Sequence, residues 1–137
     1  MPKVSEAQYE MLAAFRYELR RFMRFSESAA QRVGLTPQQH QALLAVRGYP
    51  QRARMTVGEL AERLQIRHHS AVGLVDRMVS QGLLERESGA EDRRTVHIRL
   101  TAAADALLER LSAAHQAELR RIGPSLRGLL DRLAAED

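Results

Sequence analysis

Two side-chain types in this sequence could do chemistry, histidine and arginine. The five histidines are His40, His68, His69, His97 and His115. Histidine can move protons near neutral pH or ligate a metal. None of the five stands in an H-E-x-x-H pair or in a close run with carboxylates, so no metal site is expected. Cysteine is absent, which removes thiolate nucleophiles, zinc ribbons, disulfides and thiol switches together. There is no Gly-rich phosphate loop, no G-x-S-x-G and no paired carboxylates with a cleft around them. The sequence therefore predicts neither an enzyme nor a cofactor.

Arginine is the more telling type. The net charge is +4, and Lys3 is the only lysine among 21 basic residues. A guanidinium presents a planar fork of donors that fits phosphates and the edge of guanine. GC-rich codon usage would also enrich arginine, so the excess matters only if the arginines fall on suitable elements. Arg67 and Arg77 flank one short apolar-periodic segment, and Asp92-Arg93-Arg94 occupy a turn downstream of it. Between Arg63 and Arg99 seven arginines face five acids, a modest excess that favours positioned contacts over a general basic patch.

The elements that must carry these residues follow from periodicity and capping. Residues 5–31 read as one long helix with Leu12, Phe15, Leu19, Phe22, Ala29 and Val33 along a seam that Ser26 interrupts,. Gly34 ends it. Thr36-Pro37-Gln38-Gln39 is a capping box that opens a second helix, stopped at Gly48-Tyr49-Pro50,. The stretch after it carries Arg52 and Arg54 with no acid beside them in sequence. Thr56-Val57-Gly58-Glu59 is another capping box, starting a short helix with Val57, Leu60, Ala61 and Leu64 inward. Three residues later a helix of about 14 residues begins, with Ala71, Leu74, Val75, Met78 and Val79 on one face and Gly82 at its end,. Residues 83–87 and 95–100 read as two strands around a loop. From Thr101 the chain is helical again, with a break expected at Gly123-Pro124-Ser125.

Two short helices joined by a tight turn and followed by a β-hairpin make a helix-turn-helix with a wing. In such a motif the second helix enters the major groove of DNA. Placing Val75 at the centre of the buried face puts Ser70, Gly73 and Arg77 opposite it, with His69 beside them and Arg67 and His68 at the helix entrance,. Arg77 either meets a phosphate or pairs with Asp76. His68 turns partly inward, toward either DNA or the core. Gly73 costs about 1 kcal/mol against alanine, which fits close approach of another backbone or a local packing need. At the hairpin tip Arg94 is placed to enter the minor groove, Arg93 to meet a phosphate, and Asp92 to hold an arginine extended.

At this point the sequence resembles the MarR family of bacterial transcription regulators. The resemblance runs through Leu60-Ala61-Glu62-Arg63-Leu64, Leu74-Val75-Asp76-Arg77-Met78, Gln81-Gly82-Leu83-Leu84-Glu85-Arg86, Asp92-Arg93-Arg94 and Ile98-Arg99-Leu100-Thr101. It implies a mostly α, dimeric fold with a small β-hairpin wing, ordered α-α-α-α-β-β-α-α over residues 1–137 as a single domain. Residues 5–33 and 101–135 would be dimerisation helices, and 36–100 the winged lobe. It implies a homodimer on a pseudo-palindromic operator, acting as a repressor released by a small-molecule effector. By position Arg94 matches the family's minor-groove arginine, Asp92 the acid that orients it, and Arg77 a backbone-contacting arginine. The chain departs from the family at Arg67-His68-His69 and at Gly73, so a target sequence does not carry over.

Phe15, Phe22, Met23, His40 and Leu44 are candidates to line an effector pocket, against the plainer reading that they are core. Nothing in the chain resembles a membrane span of about 20 apolar residues or an export signal, and the cytoplasm is the expected location. The competing function is a winged helix that binds another protein and not DNA. It would fit a neutral exposed helix and an acidic wing, and the arginines at 67, 77, 93 and 94 weigh against it.

Overall fold

The structure, a computed structural model, describes residues 2–50, 54–89, 92 and 94–135. Among the described residues five α-helices and three strands follow in the order α1 (Glu6–Arg32), α2 (Pro37–Arg47), β1 (Met55–Thr56), α3 (Val57–Leu64), α4 (His68–Ser80), β2 (Leu84–Ser88), β3 (Val96–Leu100) and α5 (Ala102–Ala135). The chain forms two compact units. One comprises the two ends of the chain, up to Ala29 and from Ser112; the other is Ala30–Leu111.

Helix starts and stops are written locally. Both expected capping boxes are present, at Thr36 with Gln39 and at Thr56 with Glu59. A third, not anticipated, joins Ser5 and Gln8 at the start of α1, each accepting from the other's backbone N–H at 2.8 and 3.1 Å,. Three helix ends share one hydrogen-bond pattern around a left-handed residue, Gly34, Gln65 or Gly82. The next N–H reaches back five residues, from Leu35 to Ala30, Ile66 to Ala61 and Leu83 to Met78,. Gln65 adopts φ 55 without being glycine; its Nε2 donates to the Glu62 carbonyl at 2.7 Å, which helps to hold the turn.

In the Ala30–Leu111 unit the sheet has the order β1-β3-β2, antiparallel throughout. Strand β1, only two residues long, had no periodicity to announce it; it pairs Met55 with Ile98 and Thr56 with His97. The core is built from Leu43, Met55, Leu60, Leu74, Val75, Met78 and Leu84, all essentially sealed from solvent. Thr101 Oγ1 donates to the Gly82 carbonyl at 2.7 Å and accepts from Ala104 N at 3.2 Å. One hydroxyl thus ties the end of α4 to the start of α5.

In the other unit, Met11, Ser26 and Ile122 are buried. The His115 ring lies edge-on to Phe22 and Phe25, with its Nε2 2.8 Å from Ser26 Oγ. The polar interruption in the α1 seam is therefore answered by a histidine. Two expectations are corrected here. Leu12 lies outside the buried stripe, which Met11 occupies instead, leaving Leu12 exposed. The C-terminal region is one helix, because α5 runs through Pro124 without the expected break. Proline removes one N–H donor, but Leu126, Leu129 and Leu133 keep the spacing of the residues before it, and each is half-buried.

Candidate nucleic-acid interface

The capping box of α3 is the base on which the helix pair stands. Glu59 accepts from the backbone N–H of Thr56 at 3.0 Å and from its hydroxyl at 2.9 Å, and also from the Tyr49 hydroxyl. The Tyr49 bond, then the Thr56 backbone bond, holds the Glu59 carboxyl below the usual carboxylate range. The same hydrogen bond, followed by burial, raises the Tyr49 phenol. Arg63 lies over the Tyr49 ring, 5.2 Å from its centroid. One side chain thus joins the segment after α2 to the first turn of α3.

On α4 the apolar face behaves as its spacing requires. Ala71, Leu74, Val75 and Met78 are buried. Arg67, His68, His69, Ser70 and Arg77 are exposed, and Gly73 is half-buried. Arg67 occupies the N-cap position and makes no side-chain cap bond, so its guanidinium is not committed to the helix. The His68 ring leans back toward α3; its Nδ1 is 4.0 Å from the point that a Cβ on Gly58 would occupy. Its side chain nonetheless stays exposed.

Asp76 does not pair with Arg77. Its carboxylate takes Arg86 of β2. The one acid on α4 is therefore neutralised by the neighbouring strand, and Arg77 has no carboxylate partner among the described residues. Arg77 instead lies along its own helix, with Nη1 3.4 Å from the place of a Cβ on Gly73.

The other described acids of the wing are also occupied. Glu85 binds Arg99 at 3.0 Å, and Glu87 binds Arg99 at 3.4 Å and Arg54 at 3.7 Å. Arg54, acid-free in sequence, gains its partner across the sheet. At the wing turn Asp92 Oδ1 accepts from the Arg94 backbone N–H at 3.0 Å and lies 3.5 Å from its Nε. The Arg94 side chain is 94% exposed. Arg93 and Arg52 lie outside the described residues.

The five pocket candidates are divided between the two units, Phe15, Phe22 and Met23 in one and His40 and Leu44 in the other. Phe22 packs on His115 and Phe15 is half-buried. Met23 and Leu44 are exposed, and His40 is buried in α2. An open cleft of about 280 Å³ on the lobe involves none of them; it is lined by Val46, Arg47, Arg54, Glu87, Ile98, Arg99 and Leu100. Among the described residues no group of three or more His, Asp or Glu is placed to hold a metal, and no helix is long and apolar enough to cross a membrane.

Sequence reasoning missed four features of this region. The Asp76–Arg86 pair and the Thr101 clasp depend on neighbours that only the fold supplies. His97 sits opposite Thr56 and Glu87 in the sheet. Val72 stands exposed on α4, and its apolar type on that face was the one readable signal.

Residues 33–95 match the model of the MarR family. Over the winged lobe the chain is thus similar to the MarR family. The whole chain also has the MarR fold. A MarR family protein from Bacillus stearothermophilus superposes with a TM-score of 0.75 at 22% identity, over 92% of this chain and 94% of that one. MepR, a transcription regulator of the Staphylococcus aureus multidrug efflux pump MepA, gives 0.73 at 18% identity, over 88% and 96%. A MepR variant bound to an oligodeoxyribonucleotide gives 0.69 at 19%, over the same shares. No curated protein matches the chain.

Proposed function

We propose that this MarR-like chain is a homodimeric, sequence-specific DNA-binding regulator of transcription. In this reading α4 occupies the major groove and the wing arginine the adjacent minor groove. The observation that carries it is the state of the arginines. The lobe's described acids on α4, β2 and the wing turn are engaged by Arg54, Arg86, Arg94 and Arg99, while Arg67 and Arg77 stand exposed on the free face of α4. Arg94 is thrust into solvent, and its own Asp92 limits its freedom. Cations held in fixed positions on a helix and a hairpin suit a phosphate-lined groove. That a MepR variant has been seen with an oligodeoxyribonucleotide supports the reading by analogy.

The proposal has finer parts. Arg67, His68, His69, Ser70, Gly73 and Arg77 would form the major-groove surface, and Asp92, Arg93 and Arg94 the wing contact. The helices formed by residues 5–33 and 101–135 would make the dimer, supported by Tyr9, Leu12, Tyr17, Met23, Leu119 and Leu130, all exposed on the single chain. Repression in the cytoplasm, relieved by a small effector, is the mode that the family resemblance favours.

The test is an anisotropy titration on duplex DNA selected from a random pool, with wild type beside Arg94→Ala at several salt concentrations. The expected result is tight binding to a palindrome, a steep salt slope and a loss of about tenfold or more in the variant, with circular dichroism unchanged. No enrichment from the pool, and equal weak binding by both proteins, would shift the reading to a protein-binding winged helix.

A further inference from the structure

Val72 is 37% exposed in the middle of α4. Single exposed apolar side chains are common on protein surfaces, so exposure alone decides nothing. Its setting does. Its neighbours on the outer surface of α4 are Arg67, His68, His69, Ser70, Asp76 and Arg77, all polar and exposed. Val72 is the one large hydrophobic side chain exposed on this helix. A β-branched residue gains nothing from helix propensity there. The next residue, Gly73, has no side chain to stand beside it, and Arg77 lies folded along the helix over that glycine. The two methyls of Val72 are thus the apolar projection on a surface whose only acid, Asp76, is occupied by Arg86.

We infer that Val72 reads thymine, packing its methyls against the 5-methyl group that thymine presents in the major groove. This rests on the DNA-binding reading above and deepens it by naming one residue that specifies sequence and the base that it selects. Thymine is the base with an apolar group on that edge. Cytosine, adenine and guanine carry no methyl group on that edge for Val72 to pack against. The polar neighbours, His69 and Ser70 above all, would take the hydrogen-bonding edges of the flanking pairs.

The experiment uses the full-length protein and the pool-selected duplex. Each thymine within a half-site is replaced in turn by deoxyuridine, which removes the methyl and keeps every hydrogen-bonding group. Wild type and Val72→Ala are titrated on each duplex. One symmetric position should stand out. Removing its methyl should weaken wild-type binding about fourfold per half-site, the equivalent of one buried methyl group, and about 15-fold for both half-sites of a dimer. Val72→Ala should lose affinity for the thymine duplex and show no further loss on deoxyuridine at that position. The Val72→Ile variant should restore the difference. Wild-type binding that ignores deoxyuridine at every position would overturn the inference while leaving the regulator intact, as would a sensitive position to which Val72→Ala responds like wild type. Absence of any selected duplex would instead overturn the DNA-binding reading itself.

Discussion

Gly73 occupies the interior of α4, where glycine costs about 1 kcal/mol relative to alanine. A methyl added there would meet Arg77 Nη1 at 3.4 Å, the mobile end of a flexible side chain. Gly73→Ala is therefore expected to raise unfolding stability by about 1 kcal/mol, read from the midpoint of urea denaturation. The same variant should bind operator DNA more weakly, because the added methyl fills the notch between Val72 and Arg77. A variant that gains stability and loses no affinity would make the glycine incidental. Glu59 supplies a second residue-scale prediction. Its carboxyl titrates below the usual range because the Tyr49 hydroxyl and the Thr56 backbone N–H donate to the ionised form. Its contribution to stability is thus complete above the unfolded carboxylate pKa and is lost as pH falls through the depressed folded value. Glu59→Gln should flatten the acid side of the stability–pH curve, measured by thermal melts between pH 7 and pH 3. The Tyr49 phenol is raised, and its contribution runs the other way, present below the unfolded phenol pKa and lost as pH rises through the folded one.

At the scale of elements, the devices that start and stop helices were the most legible part of the sequence. Thr36 with Gln39 and Thr56 with Glu59 announce their capping boxes at fixed spacing, and both form. Thr56→Ala should cost about 1 kcal/mol, seen as a lower midpoint in chemical denaturation. The apolar face of α4 was equally plain, since Ala71, Leu74, Val75 and Met78 repeat at helical spacing and are all buried. Pairing between elements was not legible. Asp76 and Arg77 are adjacent in sequence, yet Asp76 finds Arg86 ten residues on, because β2 folds back along α4. Strand β1 is two residues long and owes its existence to β3. Pro124 read as a stop, and α5 continues through it; a local signal for one lost hydrogen bond does not outweigh the leucine spacing on either side. Pro124→Ala should accordingly stabilise α5, raising the melting temperature without changing helical content by circular dichroism. The Asp76–Arg86 pair is largely exposed, so Asp76→Asn should cost no more than about 1 kcal/mol of stability. Its effect belongs to DNA binding, where it frees an arginine of β2 and loosens the tie between α4 and the hairpin.

At the scale of the whole molecule, the net charge of +4 understates how the charge is deployed. The described acids of α4, β2 and the wing turn are matched with arginines of the sheet and the wing, and the arginines of α4 are left to the solvent. Affinity for DNA should therefore fall linearly with the logarithm of salt concentration. Replacing Arg67 or Arg77 by alanine should each lower the slope by about one, whatever the sequence of the duplex. Light scattering at micromolar concentration should give twice the chain mass of 15.5 kDa, and a monomeric mass would contradict the dimer.

The bond between Asp92 and Arg94 has a further consequence, in entropy. A free arginine side chain carries about 2 kcal/mol of rotamer freedom, which binding must remove. Asp92 restrains the backbone N–H and the Nε of Arg94 before any ligand arrives, so part of that loss is incurred on folding. Yet a carboxylate beside a phosphate backbone is also repelled. The two effects respond differently to ions, since salt screens the repulsion and the exposed Nε contact but leaves the backbone hydrogen bond to Asp92 largely in place,. The disadvantage of Asp92→Ala relative to wild type should thus widen as salt is raised, and at low ionic strength the two proteins should converge.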